Sequence, residues 1–468
     1  MKPTIGNFVE TTITEIPARL VSYVPTPTRE YRVHKETERA TVEPTAPPAP
    51  SPIPAPAQVP TGARVLLWRQ DGLTGDLSVR KAFVAGSILP GPRDARIAVQ
   101  GVPPVSRNAM GDFIPVPGTE AFDAVHTFVI VRQTLNLYQR ALGSPLPWQW
   151  NTGGNTDPLN VFPRGLPDTM NALYSREYNA LKFGDFIQPG APPHSPRLYT
   201  CRSQDLVAHE TGHALLDGLK PGWLSIHNPP QTSALHEAFA DLTAIFLTLS
   251  RMDQVEALIT QTKANLHAKA FLSDLAEAYG LALGRPNGLR NANNDFKLGQ
   301  VGSKVHAISE VFTGATYDIL ADIFAFERQP SKKDDTVVLH EAAQYLCGLI
   351  LRAIIQAPDT AATYADVVNQ MIQITTADGQ PAPYRNFIRN RFVVREAVAS
   401  LAPLTVDHTA GTELVPAVKD ERGAIQNRSR CCGTMQHPEY TGMNETLEQE
   451  LVELREALAR SAWKSAKH

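Results

Sequence analysis

The stretch LVAHETGHALLDGL, Leu206 to Leu219, constrains this chain most. It holds His209, Glu210 and His213 in the spacing His-Glu-x-x-His. Residues four apart share one face of a helix, so both imidazoles can reach a single zinc ion. Glu210 is rotated away from them and can meet a water held by the metal. Leu206, Val207, Ala208, Ala214, Leu215 and Leu216 are apolar, and no proline intervenes before Pro221. The stretch predicts a buried helix. Two histidines on an ordinary core helix give the same pattern, and only a third ligand separates the two readings.

A candidate follows in SALHEAFADLTAIFLTL, Ser233 to Leu249, which predicts a second buried helix carrying Glu237 and, one turn later, Asp241. A catalytic zinc site has three protein ligands and one position left for water. Glu237 would complete that set. Asp241, on the same face, would accept a hydrogen bond from the non-ligating nitrogen of His209, as metal-bound histidines require. An isolated buried carboxylate is costly, so both acids need partners. A helix cap or an ion pair is the plainer use for them.

These segments resemble the gluzincin metallopeptidases, and among them the thermolysin-like family. VAHETGHA resembles that family's zinc helix and HEAFAD its third-ligand segment. The resemblance implies an α+β, two-lobed fold, with a β-rich N-terminal lobe, a helical C-terminal lobe and the zinc helix between them. It implies Zn2+ bound by His209, His213 and Glu237, with Glu210 as general base and Asp241 orienting His209. The implied activity is that of a zinc-dependent endopeptidase acting on a peptide or protein.

Other stretches extend the resemblance over roughly residues 62–400. Glu120 to Leu142 reads as a long buried helix and resembles one of the N-terminal lobe, with His126 a core or capping histidine. MNALYSREYNALKFGDF, Met170 to Phe186, resembles an edge-strand segment that binds the substrate backbone. This gives Asn171 a side-chain role and Ala172 a main-chain role, consistent with strand addition. By composition it is only a hairpin with Gly184-Asp185 near the turn. PNGLRNANND, Pro286 to Asp295, resembles a pocket wall in which Arg290 would hydrogen-bond a substrate carbonyl; an exposed loop arginine reads the same. KVHAISEVFTGATYDIL, Lys304 to Leu320, resembles the helix whose first turn carries the oxyanion-stabilising histidine, which assigns that role to His306. A helix start beside a developing negative charge is physically sound.

The chain departs from the family in several places. The connection from His213 to Glu237 is a few residues longer, the extra length falling in KPGWLSIHNPPQT. No acid precedes His306, where the sequence reads QVGSK. The assisting tyrosine has no clear match, though Trp223 and His227 lie in the loop. The calcium-binding acidic cluster is missing; Asp205 alone cannot make a site that needs six or more oxygens. Zinc without calcium is therefore expected. Two rival readings stay open. A gluzincin aminopeptidase needs an acidic anchor near Asn171, and MNALY offers none. A zinc-stabilised protein-binding module that has lost turnover would have no need of Glu210.

Composition sets the outer limits. With 468 residues the chain has length for two or three domains. A net charge of −3 gives no reason to expect nucleic acid or an anionic membrane as partner. Four cysteines are too few for a disulfide scaffold. The first residues lack the apolar run of a secretory signal, and no uninterrupted apolar stretch of about 20 residues is present to span a membrane. A cytoplasmic location, or leaderless export, is expected. The expected divisions are an N-terminal arm (1–42), a Pro/Ala-rich linker (43–61) of extended polyproline character, the β-rich lobe (62–202), the helical lobe (203–401) and a tail (402–468). Helices are expected near 253–282, 304–326, 335–356, 363–375 and 384–400, with Cys347 buried in the third. Cys431, Cys432 and His437 lack the usual zinc spacing. Residues 444–463 predict an amphipathic helix that packs on the body or pairs with a partner helix.

Overall fold

The computed structural model describes residues 61–68, 79–400 except 226, 283 and 285–287, and 414–418. The chain divides into units 1–57 and 58–468. The N-terminal arm, the linker up to its last residue, the Cys431–Cys432 pair and the terminal amphipathic helix lie outside the described residues.

The described chain mixes strands and helices, with most strands in its first part and most helices after residue 203. β1 (Thr61–Trp68) and β2 (Val79–Ser87) form an antiparallel pair. β3 (Ile97–Val99) precedes α1 (Glu120–Leu142), whose ends follow local chemistry. The Thr119 hydroxyl accepts the Phe122 N–H at the start, and Gly143 ends the helix in the left-handed region at φ 75°. His126, inside α1, is fully buried and its Nδ1 accepts the Trp68 N–H at 3.3 Å, so it is a core histidine.

β4 (Leu159–Leu166), β5 (Ala172–Ser175) and β6 (Ala180–Ile187) join β3 in the order β3-β4-β6-β5, while β7 (Arg197–Tyr199) pairs with the far end of β6. The β3–β4 and β4–β6 pairs are parallel, and β5 runs antiparallel to β6 at the edge. The hairpin turn lies at Arg176–Asn179, with Asn179 at φ 49°, and not near Gly184-Asp185. Gly184 sits mid-strand because the neighbouring chain crowds it. A Cβ there would lie 2.0 Å from the Thr169 carbonyl oxygen.

α2 (Gln204–Leu219) covers the stretch expected to be helical, and the Ser203 hydroxyl accepts the Leu206 N–H at its start. α3 (Pro230–Leu249) starts with proline in its first turn, where no N–H is needed. The two helices touch closely at Gly212. A Cβ there would come within 2.8 Å of Thr243 Oγ1 and 3.0 Å of Ala240 Cα. The longer loop between them is tied down along its length. Lys220 Nζ donates to the Ala357 carbonyl at 2.6 Å and to Asp359 at 2.7 Å, and the Trp223 indole donates to the Pro358 carbonyl at 2.9 Å. Further along, Asn228 Oδ1 accepts the Ala361 N–H, Gln231 Oε1 accepts the Tyr364 N–H, and the Thr232 hydroxyl donates to the Ala362 carbonyl.

The helix expected over 253–282 is two. α4 (Met252–Thr262) ends where Lys263 and Ala264 turn left-handed, and β8 (Asp274–Leu275) precedes α5 (Glu277–Ala282). β9 (Arg290–Asn291) pairs with β8. α6 (Val305–Glu327), α7 (Asp335–Gln356) and α8 (Tyr364–Ala377) follow close to expectation. α9 (Ala382–Val394) stops short of residue 400 because Glu396 adopts φ 54°, which no helix continues. One hydrophobic core runs from Ala63 to Val415 and is continuous across residue 203. α7 is long and apolar enough to cross a membrane by length and composition, and its apolar side packs on α1, α4 and α8, with Cys347 buried.

Candidate metal centre

α2 and α3 lie against each other and place His209, His213 and Glu237 together. All three side chains are buried. His209 Nε2 is 3.1 Å from His213 Nε2 and 3.4 Å from Glu237 Oε2, and His213 Nε2 is 3.6 Å from Glu237 Oε1. Ligands about 2.0–2.1 Å from a tetrahedral zinc are about 3.3 Å apart, so the triangle has the size of a zinc site. Its donor chemistry fits as well. Two imidazole edges and a carboxylate meet in a dry place, where lone pairs repel unless a proton or a cation lies between them.

The protonation of these groups shows the same demand. Burial works against a charge on His209, but Asp241 and Glu237 outweigh it and raise its imidazole to about 9. Burial alone would raise the Glu237 carboxyl; His306, His213 and His209 instead hold it well below the usual carboxylate range. The site thus already attracts positive charge, which a divalent cation supplies more effectively than a shared proton.

Each histidine is held from behind. Asp241 Oδ1 accepts from His209 Nδ1 at 2.9 Å. That carboxylate is itself gripped by Arg290, with Nε donating to Oδ2 at 2.8 Å and Nη2 to Oδ1 at 2.6 Å. Burial opposes the Asp241 charge, but Arg290 and His209 bring its carboxyl down to about 2. Arg290 is buried, so the exposed-loop alternative is overturned. Its fork faces Asp241, whereas the sequence suggested a substrate carbonyl. His213 Nδ1 lies 2.7 Å from Nδ1 of His236, a fully buried residue on α3. Burial, followed by the nearby His213, pushes the His236 imidazole well below its ordinary value, so it is neutral.

Glu210, next to His209 on α2, is completely buried. His306, in the first turn of α6, points Nε2 at Glu237 Oε2 from 3.1 Å and keeps its side chain 12 % exposed, so it marks the solvent side. The N-cap residue Lys304 makes no side-chain cap hydrogen bond to this helix, and no acid lies in its first turn. One turn after His306, half-buried Glu310 has its carboxyl pushed up to about 7 by burial, against the pull of Arg290 and His306. In the loop between α2 and α3, the Trp223 indole N–H donates to the Pro358 carbonyl and His227 is exposed. Asp205 accepts the Ala276 N–H, and among the described residues the His209/His213/Glu237 group is the only potential metal cluster found.

The edge strand is fastened to α2. Asp217, one turn after His213, accepts from the Tyr174 hydroxyl at 2.7 Å and from Arg176 Nε at 2.9 Å, and Arg176 follows directly after β5. Asn171 and Ala172 sit at the start of β5, where the Asn171 carboxamide oxygen accepts the Ala172 N–H at 2.9 Å. Sequence reasoning missed His236, Glu310 and the Asp217 network. Of these only Asp217 left a local signal, four residues beyond His213 on the same helical face.

No family model matches the chain, and no curated protein matches it. Among solved structures it is similar to the precursor of protealysin, a metalloproteinase from Serratia proteamaculans. That similarity has a TM-score of 0.39 and 13 % identity, and it covers 63 % of this chain and 85 % of the other.

Proposed function

We propose that this chain is a zinc-dependent endopeptidase of two-lobed, thermolysin-like type. The observation that carries the reading is the zinc-sized triangle of His209, His213 and Glu237, with Glu210 buried next to His209 on α2. Zinc, when bound, supplies Lewis acidity and lowers the pKa of a water to near ~7. Glu210 takes the proton of the attacking water and delivers it to the leaving amine. His306, in the first turn of α6, donates a hydrogen bond to the developing oxyanion, helped by the positive end of that helix. The substrate runs along the edge strand β5, held by Asn171 and the Ala172 main chain. Asp217 keeps that strand in place against α2. Arg290 acts through Asp241, holding the carboxylate that orients His209.

The test compares wild type with Glu210→Gln for zinc content and for cleavage of an end-blocked, internally quenched peptide. Both should bind about one zinc, and only wild type should cleave. Zinc in both without cleavage in either points to a binding module, and absence of zinc from both overturns the ligand assignment. Cleavage of the blocked peptide rules out a strict aminopeptidase.

A further inference from the structure

The centre contains a histidine that the ligand set and the mechanism leave without a role. His236 directly precedes Glu237 on α3, and successive helical residues diverge by about 100°. Glu237 therefore faces the metal side of His213 while His236 meets the opposite edge of the same ring. Their Nδ1 atoms are 2.7 Å apart, the rings are inclined by 27° and their centroids are 4.9 Å apart. The two imidazoles thus join edge to edge in nearly a common plane.

Two like nitrogens can bond at this distance only if one carries hydrogen and the other does not. His213 turns Nε2 to His209 and Glu237, and a metal ligand needs a bare nitrogen there. The hydrogen of His213 must then sit on Nδ1. His236 must accept it on a bare Nδ1 and carry its own hydrogen on Nε2. That Nε2 is buried with no hydrogen-bond partner, a destabilising arrangement that the opposite tautomer pair would not relieve without spoiling His213.

We propose that His236 is a positioning residue of the metal centre, a neutral acceptor that fixes the metal-binding tautomer of His213. The inference rests on the zinc reading above. It makes the outer shell asymmetric: a carboxylate backed by arginine holds His209, and an uncharged imidazole holds His213. A second carboxylate there would bury a further negative charge, and His236 supplies the acceptor without that desolvation cost.

The test uses the full chain. Zinc affinity is measured by chelator competition for wild type, His236→Leu and His236→Asn, with metal-free thermal unfolding of each. Loss of the acceptor in His236→Leu should weaken zinc about 10- to 100-fold. His236→Asn, whose side-chain oxygen can accept the same hydrogen, should stay within a few-fold of wild type. The metal-free Tm of His236→Leu should change little, because the variant removes the orphaned Nε2–H of His236 together with its hydrogen bond to His213. Equal zinc affinity in His236→Leu and wild type overturns the proposal, as does an equal loss in both variants, which would show packing alone. Nitrogen-15 spectra of histidine-labelled wild type with zinc give a readout independent of any variant's folding. His213 should be protonated at Nδ1 and His236 at Nε2, and the reverse overturns the proposal. Failure of wild type to bind zinc sinks the zinc reading itself, so the two failures are distinguishable.

Discussion

Arg290 has a measurable duty at the residue scale. Its guanidinium is the cationic partner of the buried Asp241 carboxylate, which in turn aligns His209. Removing one member of a buried ion pair costs about 3–5 kcal/mol, because the other charge is left stranded. Arg290→Met should therefore lower stability by about that amount in chemical denaturation. A purely substrate-binding arginine would leave stability unchanged and raise KM only. Asp241→Asn should weaken zinc about 10- to 100-fold in chelator competition while leaving the secondary structure intact. Residues spaced by one helical turn were legible in the sequence: His209 with His213, and Glu237 with Asp241, each follow from the 3.6-residue period. The Arg290–Asp241 pair spans 49 positions and the His213–His236 pair joins two helices. No local period encodes contacts of that kind, so they became visible only with the helices packed.

The elements repeat this division. α1, α2, α3, α7 and α8 lay close to their expected ends, because caps, apolar periodicity and proline placement are local signals. The break after α4 was invisible because Lys263 and Ala264 turn left-handed without a glycine to announce it. The hairpin turn was misplaced for the opposite reason, since Gly184 serves close packing and not a turn. The same physics governs how α2 meets α3. Gly212→Ala adds a methyl group 2.8 Å from Thr243 Oγ1. Overpacking of this kind costs about 1–3 kcal/mol. The variant should be less stable by that much and should hold zinc more weakly, because its ligands sit on both helices. Normal stability and normal zinc affinity together would show that the contact relaxes freely.

The whole molecule carries a buried acid-sensitive group in His126. Burial, reinforced by Arg251, Arg202 and Arg80, lowers its imidazole from 6.5 to about 3. The unfolded chain binds a proton at this residue below pH 6.5, and the folded chain does not. The stability that His126 contributes is complete above about pH 6.5 and is lost progressively as pH falls toward about 3. Over that span the loss is about 4 kcal/mol for this group. His126→Gln should flatten the acid limb of a stability–pH curve, and an unchanged limb contradicts the assignment. The tethered loop between α2 and α3 has a different consequence for the chain as a whole. Lys220, Trp223, Asn228, Gln231 and Thr232 fasten both of its sides to residues 357–364. Covalent continuity through residues 224–228 is thus mechanically redundant. A molecule nicked there should run as two bands under denaturing conditions, elute natively as one particle, and keep its zinc. A chain so built can be cut between the two helices that carry His209, His213 and Glu237 and still hold them together as a pair of interlocked fragments.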